Sequence, residues 1–199
     1  VIAIIGVLAG LLFPAISGAL LKAQAASMSN NGKQFVMSVI AANIERDALN
    51  MGEVWPWLEG KVTVPDGEDA TTEIGPYASG ESSNVYFADM IKYNILDEID
   101  FSIFAGGGLK SAGKDSDTFR TGKDYNAWNI VSGIGDSSWS SDTPFMWTRN
   151  LTIEKTDLEA ASPPEEGGET PQNNWLNKLD ATKAPFGKKQ VIMVTKGGA

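Results

Sequence analysis

The chain opens on an uninterrupted apolar run, VIAIIGVLAGLLFPAISGALL, from Val1 to Leu21, in which Ser17 is the only polar side chain. At about 1.5 Å per residue a helix of this length reaches about 30 Å, the hydrocarbon thickness of a bilayer. The run is apolar all round, with Gly6, Gly10, Gly18 and Pro14 inside it, so no face is left for water. A helix of that kind is buried in lipid or in other protein. Past Leu21 the pattern changes. Ser29-Asn30-Asn31-Gly32 joins poor helix formers to a glycine and is the weak spot of the segment. Phe35, Val36, Val39, Ile40 and Ile44 then recur at three- and four-residue spacing as one apolar stripe. Glu45, Arg46, Asp47 and Asn50 bring polarity, and Gly52 is the expected stop. The pattern predicts one helix over 1–50, apolar all round in its first half and amphipathic in its second, and a globular head over 51–199.

The head patterns as α+β. Lys61–Val64 is a short strand candidate, and residues 65–84, rich in Gly, Asp, Glu and Ser, are expected to be a long loop. Ser82 or Ser83 is placed to cap a second helix through Val85, Phe87, Met90, Ile91 and Ile95 to Leu96. Phe101–Phe104 is a strand candidate, Tyr125–Val131 fits helix or strand, and Phe145–Leu151 and Gln190–Thr195 are predicted strands. These predict a small antiparallel sheet laid over the amphipathic half of the long helix. Residues 160–174, AASPPEEGGETPQNN, lack apolar periodicity and are expected at the surface, as an outward loop or as a disordered segment.

Composition narrows the function. Among 199 residues there is no cysteine and no histidine. That removes disulfides, thiol catalysis, Ser-His-Asp chemistry and most zinc or transition-metal sites. Carboxylate pairs, a lysine nucleophile or a hard cation on oxygen remain. Residues 1–44 hold Lys22 and Lys33 and no acid, whereas residues 45–199 hold 14 basic and 25 acidic side chains, a net −11. An acidic body on an apolar, slightly basic stem argues against nucleic acid as a primary partner.

Three explanations compete for the stem: a cleaved secretory signal, with Ala23-Gln24-Ala25 as its small-residue site; a single-pass anchor; or a helix that waits in the membrane and is drawn into a polymer. The apolar run exceeds an ordinary signal h-region, and no basic n-region precedes it. VIAIIGVLAGLLFPAI, Val1 to Ile16, closely resembles the N-terminal stretch of type IV pilins and type II secretion pseudopilins. In that family a basic leader, a phenylalanine and a glutamate come before this stretch, and no residue here takes the glutamate's place. The resemblance implies a pilin-like fold and a non-enzymatic subunit of a helical filament, a pilus or a pseudopilus. Its partners would be identical subunits, the inner-membrane assembly machinery, a prepilin peptidase and, before assembly, membrane lipid. The resemblance places the filament core and membrane helix at Ile2, Ile5, Gly6, Leu8, Gly10, Leu12, Phe13 and Pro14. Spine-to-head packing falls to Phe35, Val36, Val39, Ile40 and Ile44. Location follows: inner membrane before assembly, then the cell surface, or the periplasm for a pseudopilus. An internal proline costs a helix about 3 kcal/mol, and the resemblance implies an unwound stretch, so loss of helix is expected between Gly6 and Pro14 in the filament. The competing function is a single-pass membrane-anchored protein whose acidic domain binds a ligand or cation.

Other motifs point to little chemistry. Gly106-Gly107-Gly108 lacks the context of a phosphate loop and is expected to be a turn. Asp115-Ser116-Asp117 begins like a calcium loop, but Phe119 stands where an oxygen ligand belongs and Arg120 where glycine does. Acidic clusters occur at Asp66/Glu68/Asp69 and Asp97/Glu98/Asp100. Major pseudopilins bind calcium in a head loop, so the resemblance implies calcium as a candidate; no motif here matches that site, and no cofactor is expected. The tryptophans Trp55, Trp57, Trp128, Trp139, Trp147 and Trp175 suit core or interface packing better than a sugar platform. Asn150-Leu151-Thr152 is an N-glycosylation sequon, an acceptor only in a cell with the machinery.

Overall fold

The computed structural model describes residues 2–56, 60–66, 70–77, 83–96, 99–113, 115–122, 124–133, 140–153 and 178–199. One helix, α1, runs unbroken from Ile2 to Ala48. It passes through Pro14 and through Ser29–Gly32, so the expected loss of helix between Gly6 and Pro14 is absent from the single chain. A proline inside a helix removes one amide donor, and the turns on either side keep theirs. The Ser17 hydroxyl donates to the Pro14 carbonyl at 2.9 Å. At its other end α1 stops before Gly52. Asn50 takes a left-handed backbone (φ 56). The Met51 N–H then donates to the Arg46 carbonyl at 2.9 Å and the Asn50 N–H to the Asp47 carbonyl at 3.0 Å. This pair of bonds satisfies carbonyls the helix leaves free.

β1 (Val62–Pro65) and β2 (Thr71–Ile74) form an antiparallel hairpin, Val62 opposite Ile74. The expected loop over 65–84 therefore contains a strand, hidden because Thr71-Thr72-Glu73 presents polar side chains. α2 spans Ser83–Lys92 and ends as α1 does, on a left-handed Asn94, with the Ile95 N–H bonded to the Met90 carbonyl at 3.0 Å. Phe101–Phe104 is a 3-10 helix and not a strand. Phe101 and Phe104 are both buried, and residues three apart share a face in a 3-10 turn but fall on opposite faces of a strand. The Asp100 carboxylate caps the turn, accepting from the Ser102 N–H at 2.8 Å.

α3 is Ser116–Thr121. β3 (Trp128–Ile130), β4 (Pro144–Thr148) and β5 (Met193–Thr195) make one antiparallel sheet in the order β3-β4-β5. The two predicted strands exist but are shorter than expected, the open segment Tyr125–Val131 contributes a strand over Trp128–Ile130, and Leu151 pairs only with Leu179 in an isolated bridge. Residues 160–174 lie outside the described residues. An α+β chain with a long N-terminal helix and small antiparallel sheets is what the structure shows.

The core joins the second half of α1 to the head. Phe35 is its centre, edge-on to Phe87 at 5.0 Å and to Phe104 at 5.1 Å, with Tyr86 and Phe145 at 6.4 and 6.5 Å. Phe87 stacks on Phe104 at 4.2 Å and Phe101 on Phe119 at 4.3 Å. Gly32 has a role the sequence did not suggest. A Cβ there would lie 2.8 Å from Val194 Cγ2 and 3.0 Å from Trp128 Cη2. The missing side chain lets β3 and β5 press onto the helix backbone, and the Asn31 amide donates to the Ile103 carbonyl at 3.3 Å. The stretch expected to be weak is a docking notch.

Candidate functional site

Two surfaces of α1 carry the functional expectations. The first is the stem. Ile5, Leu8, Leu12 and Phe13 are all exposed, Phe13 at 77%. Pro14 is exposed as well, and a Cβ at Gly6 or Gly10 would meet nothing within 4 Å. Ile2 lies in the helix, but its side chain falls outside the described residues. Of the expected stem residues, those whose side chains are described therefore share one bare rod with no contact to the head. The helix is long and apolar enough to cross a membrane, and its apolar window is not buried within the chain. Bare apolar area of this extent, at about 25 cal/mol per Å², is a large penalty in water and demands lipid or protein around it.

The second surface is the face gripped by the head. Phe35, Val36 and Val39 are fully buried, and Ile40 packs at the edge. The grip extends lower than expected, to Met28, with Leu21 and Ala25 partly covered. At the upper end the expectation fails: Ile44 is 68% exposed. The buried face runs through Val39, Asn43 and Arg46, and Ile44 lies one residue, about 100°, past it. Polar residues hold that part of the face because the head offers backbone groups there. Asn43 Oδ1 accepts the Val54 N–H at 2.7 Å. The Arg46 guanidinium, in a residue only 7% exposed, donates to the Gly52, Met51 and Thr63 carbonyls at 2.8, 2.8 and 2.9 Å. Desolvation lowers its pKa from the usual arginine value. Apolar type does not mark burial at Ile44; the signal in the sequence is an arginine in the last turn beside a chain reversal.

Inside the head the buried ionisable groups form a staple. Asp89, 4% exposed, accepts from the Tyr77 hydroxyl at 3.0 Å and from Arg120 Nη1 at 2.6 Å, joining α2 to α3 and to the chain after β2. Burial first, then the Asp89 charge, pushes the Tyr77 phenol far above its ordinary value, and burial does the same to Tyr86. Both phenols stay neutral and act as hydrogen-bond donors, Tyr86 to the Val54 carbonyl at 2.9 Å. Nearby, the buried Asn126 amide donates to Ser83 Oγ, Asn84 Oδ1 and the Trp128 carbonyl at 2.8–2.9 Å, anchoring the start of α2 to β3.

The remaining motifs resolve into structure. Asp115 caps α3: its carboxylate accepts from the Asp117 and Thr118 N–H groups and the Thr118 hydroxyl. Among the described residues no three acidic groups gather to hold a metal ion. Glu68, Asp69, Asp97 and Glu98 lie outside them. Gly106–Gly108 is a turn, Gly107 resting on Pro185 where a side chain would overlap. Trp55, Trp128 and Trp147 are buried; Trp57, Trp139 and Trp175 lie outside the described residues. Asn150 is fully buried, and its Nδ2 donates to the Gly187 and Gln190 carbonyls at 2.7 Å each. That nitrogen is the atom a glycan would need, so burial removes the sequon as an acceptor in the folded chain. A cleft of about 500 Å³ lies between α2 and the 3-10 helix, lined by Lys92, Asn94, Asp100 and Ser116 among others. No protein-family model, no curated protein and no solved structure matches the chain.

Proposed function

We propose that this chain is a structural, non-enzymatic subunit of a helical filament of the type IV pilin and pseudopilin kind. The observation that carries the proposal is the division of α1. Its first twenty or so residues stand clear of the head with every described large side chain exposed, while Met28 to Arg46 are clamped into the head's core. The stem rests in the inner membrane until assembly and is then reburied against identical stems. Gly6 and Gly10 leave room for close helix approach. Contacts that repeat head to tail without closing give an open helix of subunits. The acidic heads, with residues 51–199 outermost, form the filament surface at the cell exterior or in the periplasm. The Val1–Ile16 sequence supports the same reading.

The test is removal of detergent from purified full-length protein, followed by negative-stain electron microscopy. Uniform filaments support the proposal. A monodisperse species that stays soluble only with detergent supports the competing reading, a membrane-anchored protein whose acidic domain binds a ligand or cation.

A further inference from the structure

The charge of the head has a direction. Residues 178–199 hold Lys178, Lys183, Lys188, Lys189 and Lys196 against Asp180, a net +4, whereas residues 45–177 hold nine basic and 24 acidic side chains, a net −15. Lys183, Lys188 and Lys189 are exposed on compact turns, closed by bonds from the Gly187 N–H to the Lys183 carbonyl and from the Lys189 N–H to the Phe186 carbonyl. Asp180 is already answered by Lys183 at 3.8 Å. Pro185 of this loop rests on Gly107, and the adjacent Gly106 lies against Met28, where a Cβ would sit 2.6 Å from the sulfur. The lysine loop is thus on the stem side of the head.

The far end is acidic. Glu45 and Asp47 are exposed on the last turn of α1, and Asp66 is exposed at the tip of β1. Arg46 binds these elements together through the Thr63 carbonyl at 2.9 Å. Met28 and Arg46 are eighteen residues apart on one helix, so the two ends are separated by about 27 Å along the spine.

We propose that the lysine loop of one subunit docks on Glu45, Asp47 and Asp66 of a second copy of this chain. The contact rests on the filament reading and deepens it. Three cations at one end, Lys183 shared with Asp180 of its own loop, and three carboxylates at the other make a heterologous contact, which propagates and does not close. It also answers an electrostatic difficulty. Subunits of net charge −9 packed within a Debye length of about 8 Å repel one another. Stacking stem-side end on far end converts part of that repulsion into attraction and fixes polarity and register.

The experiment is a charge swap read by critical concentration for assembly at low and physiological salt. The variants are K183E/K188E/K189E, E45K/D47K/D66K and the six-substitution combination. All six side chains are exposed, and thermal melting checks that each variant folds. Each triple variant is expected to raise the critical concentration about tenfold or more, because it replaces exposed opposite-charge pairs by like-charge ones. The combination is expected to return it close to wild type, and salt to weaken wild-type assembly. Triple variants that assemble like wild type, or a combination no better than either triple, overturn the contact; lysines that instead face anionic lipid give the first of these. Absence of wild-type filaments is a different outcome, because it removes the filament reading itself.

Discussion

Truncating Phe35 and Ile44 to alanine is expected to give opposite results, although the two residues lie nine positions apart on one helix and belong to one apolar stripe by sequence. Phe35 is fully buried and meets four other rings, two of them edge-on at 5.0 and 5.1 Å. Removing a buried phenylalanine loses its transfer energy and leaves a cavity, together about 3–5 kcal/mol. The edge-to-face pairs fall within that figure at about 0.5–1.5 kcal/mol each. For a chain of this size about 4 kcal/mol lowers the melting temperature by about 8–16 °C. Ile44 is largely exposed, so Ile44→Ala should stay within about 0.5 kcal/mol of wild type and gains a little from alanine's helix propensity. The assay is guanidinium and thermal unfolding in detergent micelles, followed by near-ultraviolet circular dichroism, because Trp55, Trp128 and Trp147 report the head's packing. A loss below about 1 kcal/mol for Phe35→Ala, or an equal loss for both variants, would refute the assignment of the buried face.

Two further outcomes follow from the same packing. Arg46→Met keeps the apolar stem of the side chain but leaves the Gly52, Met51 and Thr63 carbonyls short of a donor; about 2–3 kcal/mol of stability should be lost. Hydrogen exchange should quicken in the hairpin 62–74 while α2 stays protected, and unchanged exchange in the hairpin would contradict the clamp. Acid should loosen α3. Hydrogen bonds from the Thr118 hydroxyl and N–H hold the Asp115 carboxyl below its ordinary pKa. The stabilisation from a depressed carboxyl is complete above the unfolded-state value of about 3.9 and disappears as pH falls through the lower folded value. The protection factors of the Asp117 and Thr118 amides, measured against the intrinsic exchange rate at each pH, should therefore fall below about pH 4 in wild type and be low at every pH in Asp115→Ala; protection that varies with pH in the same way in both would contradict the cap.

The parts of the fold that the sequence makes legible are those where type and spacing agree. The apolar run to Leu21, the Phe35/Val36/Val39 face and the Met193–Thr195 half of QVIMVT all have that property. Misreadings arise where long-range contacts choose between locally equal options. Phe101–Phe104 serves as strand or turn until Phe119 and Phe87 claim the same face of it, although Asp100 before it was an available cap signal. Ser29–Gly32 looks like a break until β3 and β5 need an absent Cβ at Gly32. Ile44 looks like core until Asn43 and Arg46 are seen to serve backbone groups of residues 51–63. The Asn150 sequon is a local pattern, and only the fold places its amide between Gly187 and Gln190. Absent histidine and cysteine excluded chemistries and could not by themselves name a function; the exposed stem is what gives that absence a structural meaning.

Helical cryo-electron microscopy of detergent-free, full-length protein tests the assignment of the stem most directly. The expected result is a filament whose axis is lined by residues 2–20 of neighbouring subunits, with Phe13 and Leu12 enclosed, Gly6 and Gly10 at close helix approaches, and the head outside. Particles that remain single heads with the stem in a micelle, or filaments whose stems do not touch, would contradict it.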